Sequence, residues 1–145
     1  MKSPREHSEF AEAIESGDVL KVKSLIRSSP NLVNHPAWIP PPLHCAVLWD
    51  QTEIVKILLE SGADLEMLDS DRKTTPLRYA ILYCKVNIIP VLLFAGANSG
   101  SLNGMTSLQL AVYAAAGGYE EFDDLPRARD YQKVIRVLNE HGIEA

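Results

Sequence analysis

The sequence predicts an all-α fold: a solenoid of about four stacked helix pairs with projecting loops. Three observations carry this expectation. A short element, Pro42-Leu43-His44-Cys45-Ala46, returns as Pro76-Leu77-Arg78-Tyr79-Ala80 and again, with variation, as Ser107-Leu108-Gln109-Leu110-Ala111, at intervals of 34 and then 31 residues. A leucine-rich second element trails each copy: Ile54 to Ala63, Ile88 to Ala97 and Val134 to Gly142. Each of these second elements runs into a glycine, Gly62, Gly96 or Gly142, where a left-handed helix cap is expected. Self-similarity at a period of some thirty residues, two apolar helices to the period, is the signature of a helix-turn-helix repeat array.

Taken in order, the first unit is the weakest. Phe10, Ala13 and Ile14 form one apolar face, Gly17-Asp18 a turn, and Val22, Leu25 and Ile26 a second face. Ser3-Pro4-Arg5-Glu6 reads as a capping box with proline at the first helical position. Pro30 stands where the later units have their glycine. Thr75-Pro76 starts the third unit with the same device, a hydroxyl acceptor followed by a residue that has no N–H to satisfy. Pro90 lies inside an apparent helix, and is harmless there if Asn87 is the cap, because it then falls in the first turn. The units run approximately over residues 3–34, 35–68, 69–101 and 102–145, as one domain.

Composition excludes several classes of function. The chain has 145 residues, 46% of them hydrophobic, enough for a real core. A formal net charge of −5 argues against a nucleic-acid partner, which favours a basic face. Residues 1–9 are polar, without the apolar stretch of a signal peptide, and no run reaches the roughly 20 apolar residues that span a bilayer. Cys45 and Cys84 lack paired spacing and read as small buried thiols of a reducing compartment. A cytoplasmic monomer is the expectation. The histidines His7, His35, His44 and His141 show no metal-ligand spacing, and Gly96, Gly100 and Gly104 lack the lysine and hydroxyl of a phosphate loop. Asp64, Asp69 and Asp71 do not make a calcium loop. No catalytic residues, cofactor or metal are expected.

These motifs resemble the ankyrin repeat. Pro42-Leu43-His44-x-Ala46, Glu53-Ile54-Val55 and Leu58-Leu59-Glu60-Ser61-Gly62-Ala63-Asp64 match its consensus closely. Thr75-Pro76-Leu77, Gly96-Ala97-Asn98 and Asn103-Gly104-Met105-Thr106-Ser107-Leu108 continue it, so that the resemblance covers roughly residues 5–143. It implies antiparallel helix pairs with hairpin-like loops along one edge, end units acting as polar caps, and a protein as partner. It also implies that His44 bonds to neighbouring backbone.

The resemblance further implies that two variable positions near the end of each inner helix face a concave groove. Here they are Glu15 and Ser16, Leu48 and Trp49, Leu82 and Tyr83, and Tyr113 and Ala114. Trp49, Tyr83 and Tyr113 would then make an aromatic stripe, suited to anchoring a partner, although rings at helical spacing also serve as core. The glycine that usually closes this turn is absent at Asp50, Cys84 and Ala115. Two loops join the expected contact surface: the proline-stiffened segment at 35–42 carrying Trp38, and the loop with Arg72 and Lys73.

The last unit departs most from the pattern. Leu43 to Ile54 and Leu77 to Ile88 each span 11 positions, whereas Leu108 to Val134 spans 26, which places an acidic insertion at about 115–129. Gly117 and Gly118 should break the first helix, and Asp124 with Pro126 could start an extended final one. On that helix Arg129, Lys133 and Arg136 would share a face. Tyr119 and Phe122 are its candidate contact residues; alternatively Phe122 and Leu125 fold back over the open end. The leading expectation is a protein-protein interaction module that binds through the concave helix face and projecting loops as a regulatory or inhibitory adaptor. The alternative is a small ligand-binding or enzymatic domain with the insertion as a lid.

Overall fold

The computed structural model describes residues 4–35, 40–119 and 122–144, and within them the chain is all α-helical, with no strand. It divides into two compact units, Met1–Thr75 and Pro76–Ala145. The first holds α1 (Pro4–Ser16), α2 (Val19–Ser28), α3 (Pro42–Leu48) and α4 (Thr52–Glu60). The second holds α5 (Pro76–Leu82), α6 (Ile89–Phe94), α7 (Ser107–Ala115) and α8 (Tyr131–Glu140).

Each unit is built from two helix pairs whose inner helices also touch. In the first, α1 packs on α2, α3 on α4 and α1 on α3. In the second, α5 packs on α6, α7 on α8 and α5 on α7. Six of the seven residues of α3 and all seven of α5 are buried, so these helices are apolar or small on most sides and their polar members, His44 and Arg78, need hydrogen-bond partners. In α1 only Phe10, Ala13 and Ile14 are buried, and Glu12, Glu15 and Ser16 face solvent, which is the polar cap expected for the first unit.

The sharp turn inside each pair is closed the same way four times. The N–H of Asp18 donates to Ala13, that of Gln51 to Ala46, that of Lys85 to Ala80 and that of Gly118 to Tyr113, at 2.8–3.0 Å. The residue before each donor is left-handed: Gly17, Asp50, Cys84 and Gly117, with φ of 73°, 57°, 54° and 86°. Asp50 and Cys84 therefore adopt, without glycine, the conformation that glycine adopts at no steric cost. In the last unit the turn falls on Gly117 rather than Ala115. The inner helix α7 runs nine residues against seven in α3 and α5, so the insertion begins by lengthening a helix.

The outer helices end as expected at Gly62, Gly96 and Gly142, where Ala63, Ala97 and Ile143 donate back to Leu58, Leu92 and Leu138. Three expectations need correction. The cap of α6 is Ile88, not Asn87, although Pro90 remains in the first turn. Pro30 makes no cap of the glycine kind: it starts a 3-10 turn, Pro30–Leu32, that buries Leu32 and is followed by buried Val33. The final helix starts at Tyr131, not near Asp124. Pro126 supplies no N–H, Arg127 is extended, and a 3-10 turn at Ala128–Asp130 precedes the helix. Arg129 thus lies off the helix that carries Lys133 and Arg136, and pairs weakly with Asp130 at 3.8 Å. The Ser3 capping box lies outside the described residues.

Candidate protein-interaction site

In the first unit, Trp49 caps the C-terminus of α3, with its N–H on the Cys45 carbonyl at 3.0 Å. Its side chain is 50% exposed, beside half-buried Leu48. Arg72 and Lys73 sit on a loop built around Asp69. That carboxylate is buried and accepts from the backbone N–H of Arg72 at 2.9 Å and of Thr74 at 2.8 Å, while Lys73 turns left-handed at φ 50°. Asp69 therefore shapes a loop rather than binding a cation, and Lys73 is exposed at its tip. Asn34 links two further loops, donating to the Gly62 carbonyl and accepting from the Asp64 N–H, both at 2.8 Å. Trp38 lies outside the described residues.

In the second unit, Leu82 is only 7% exposed, so it belongs to the core and is removed from the expected contact set. Tyr83 is half-buried: its ring packs on Tyr79 with centroids 4.8 Å apart, and its hydroxyl donates to Asp124 at 3.1 Å. That bond fastens the insertion to the end of α5. Leu125 is buried, and the buried Tyr131 hydroxyl donates to the Leu82 carbonyl. The two alternatives for the insertion are thus divided between its residues: Leu125 folds inward, whereas Phe122 stays 42% exposed.

Three rings gather on this unit. Tyr113, 46% exposed, meets Tyr119 nearly perpendicularly at 5.2 Å, and Tyr119 meets Phe122 at 6.1 Å with planes tilted by 51°. Gly118 permits the arrangement, because a Cβ there would stand 2.2 Å from the Tyr113 ring. Tyr119, Phe122, Asp123, Leu125, Pro126 and Arg127 line a cleft of about 410 Å³.

A family model of ankyrin repeats, in three copies, matches residues 10–103, most of the chain. The chain belongs to the ankyrin-repeat family. No curated protein sequence matches it. The matched span ends before α7, so the fourth ankyrin helix pair rests on the structure: α7 and α8 pack together and end in the same glycine-capped way. Ankyrin repeats in general are protein-interaction modules.

Within the ankyrin pattern His44 does the structural work expected of it. Its Nε2 makes a 2.8 Å hydrogen bond with the Thr74 carbonyl, and burial holds its pKa below the ordinary 6.5 despite that bond and nearby Asp69. One repeat later the chain has arginine, and Arg78 takes over the role. Its guanidinium donates at 2.7 Å to the Met105 carbonyl, the residue just before Thr106 as Thr74 is just before Thr75. Thr106 and Gln109 then cap α7 reciprocally, a capping box legible as Thr-x-x-Gln but overlooked in the sequence. Burial pushes the Cys45 thiol up to about 11, helped by Glu15, and the Cys84 thiol up to about 12, helped by Asp130. Among the described residues no group of three or more metal-ligating side chains forms, and no helix is long and apolar enough to cross a membrane.

Proposed function

We propose that this chain is a non-catalytic ankyrin adaptor or inhibitory subunit that grips a partner protein through aromatic anchors. The observation that carries the reading is the Tyr113–Tyr119–Phe122 cluster of the second unit. It is a group of three rings beside a cleft, Tyr113 and Phe122 exposed and Tyr119 half-buried, held by Tyr83–Asp124 and by buried Leu125. Large rigid rings supply contact area at little cost in side-chain entropy, and a pre-formed cluster reduces the ordering that binding requires. In the first unit exposed Trp49 and the Arg72–Lys73 loop offer a second set of contacts. The free thiols Cys45 and Cys84 favour a reducing compartment.

The test is affinity capture with mass spectrometry, wild type against Trp49→Ala and against the double variant Tyr113→Ala/Phe122→Ala. A specific protein should be retained by the wild type and lost from both variants, with thermal unfolding unchanged. Retention by both variants, or loss accompanied by unfolding, would remove the rings from the interface. The cleft beside the insertion favours a second reading, a small-ligand site with the insertion as its lid. Asp123 and Arg127 on its walls are both exposed, which suits docking of a chain segment better than a closed reaction chamber.

A further inference from the structure

Resting on the interaction reading, we propose that residues 122–127 are a latch, which opens and closes as a unit while the helix pairs stay folded and whose closure assembles the aromatic site. Within this segment Leu125 is buried, whereas Phe122, Asp123, Asp124 and Arg127 are exposed. The segment has no helix of its own, and its backbone bonds are local turns: the Phe122 N–H donates to Tyr119 at 3.0 Å and the Leu125 N–H to Phe122 at 3.3 Å. It is tied to the helices by the solvent-exposed Tyr83–Asp124 bond at 3.1 Å and by the side chain of Leu125. Few buried apolar groups and water-exposed hydrogen bonds mark the parts of a protein that open first.

Both flanks are fixed. On one side the left-handed Gly117 closes α7, with the Gly118 N–H on the Tyr113 carbonyl at 3.0 Å. On the other, a 3-10 turn at Ala128–Asp130 leads to buried Tyr131, whose hydroxyl donates to the Leu82 carbonyl. The segment between can therefore lift without unfolding either flank. Comparison of two repeats identifies what it covers. Trp49 and Tyr83 occupy the same place, each just before a left-handed residue, Asp50 or Cys84. Trp49 is 50% exposed, but Tyr83 is half-buried with Asp124 on its hydroxyl. Closure also sets Phe122 against Tyr119, with centroids 6.1 Å apart. Opening thus exchanges one face for another: it takes Phe122 out of the cluster and bares Tyr83. A partner that grips the closed cluster holds the latch shut, and whatever draws the segment away dismantles the site.

The test is native-state proteolysis of the full chain with trypsin across low urea concentrations. Cutting after Arg127 should outpace cutting after Lys56 in α4 and Lys133 in α8, and should depend less on urea, because local opening exposes little surface. Tyr83→Phe, which removes only the hydroxyl, should speed the Arg127 cut about five-fold, the effect of losing one ordinary hydrogen bond. Equal rates and urea dependence at the three sites overturn the latch, as does an Arg127 cut indifferent to Tyr83→Phe. A second variant, Leu125→Asp, forces the segment outward. Hydroxyl-radical footprinting should then oxidise Tyr83 as readily as exposed Tyr113 while buried Tyr131 stays protected. Unchanged Tyr83 oxidation, or loss of Tyr131 protection, also overturns the inference. Both readouts come from the free chain, so their failure removes the latch alone. Capture that persists in the ring variants removes the interaction reading and, with it, the latch's role.

Discussion

Replacing Arg78 by methionine should destabilise the chain by about 2 kcal/mol, the middle of the range for a hydrogen bond to a charged group. Methionine keeps much of the buried apolar stem and removes the guanidinium. What is lost is the 2.7 Å bond to the Met105 carbonyl from a side chain that is 7% exposed. Two effects limit the loss. The Met105 carbonyl keeps the Leu102 N–H at 3.1 Å, so it is not left bare. Removing the cation also relieves the desolvation that pulls the Arg78 pKa below its ordinary value. Urea unfolding followed by circular dichroism measures the balance: with a slope of about 2 kcal/mol per molar, the midpoint should fall by about 1 M. Arg78→His should lose less, since His44 makes the equivalent bond to Thr74 one repeat earlier. A midpoint for Arg78→Met equal to or above wild type would show that desolvation cancels the bond and that the arginine contributes no stability.

Three further outcomes follow from the same structure. Because burial holds His44 below its ordinary 6.5, the unfolded chain takes up the proton first as the pH falls. His44 thus leaves stability flat above about pH 6.5 and lowers it below that, and His44→Gln should flatten this part of the acid limb of a urea-midpoint profile. Cys45 is buried as expected, but Cys84 is only half-buried. With its thiol raised to about 11, Cys45 should resist Ellman's reagent at pH 8 until urea unfolds the chain, and labelling of the native protein should be confined to Cys84; fast labelling of Cys45 would contradict its burial. Asp50→Gly should raise stability by about 0.5 kcal/mol, since Asp50 is exposed and left-handed at φ 57°; a loss would mean that the aspartate side chain contributes more than its backbone strain costs.

Much of the candidate surface was legible in part only. Trp49 and Tyr113 were placed by repeat register and are exposed, but Leu82, selected by the same register, is buried. Register fixes which positions share a helix face, while exposure depends on what packs against that face. Arg78 was visible as a departure from His44, yet its acceptor lies 27 residues away and could be identified only once the Leu102–Met105 turn was seen. The role of Gly118 was hidden for a similar reason: only the position of the Tyr113 ring shows why a side chain does not fit there.

The sequence by itself determined the all-α repeat and the glycine caps at Gly62, Gly96 and Gly142, because helical periodicity, capping and turn chemistry are local and recur in phase. Tertiary structure alone decided where the final helix begins, that Asp124 fastens to Tyr83 across 41 residues, and that Tyr113, Tyr119 and Phe122 meet beside a cleft. These depend on the folded path of a segment without a repeat, and aperiodic sequence carries no register from which such contacts could be read.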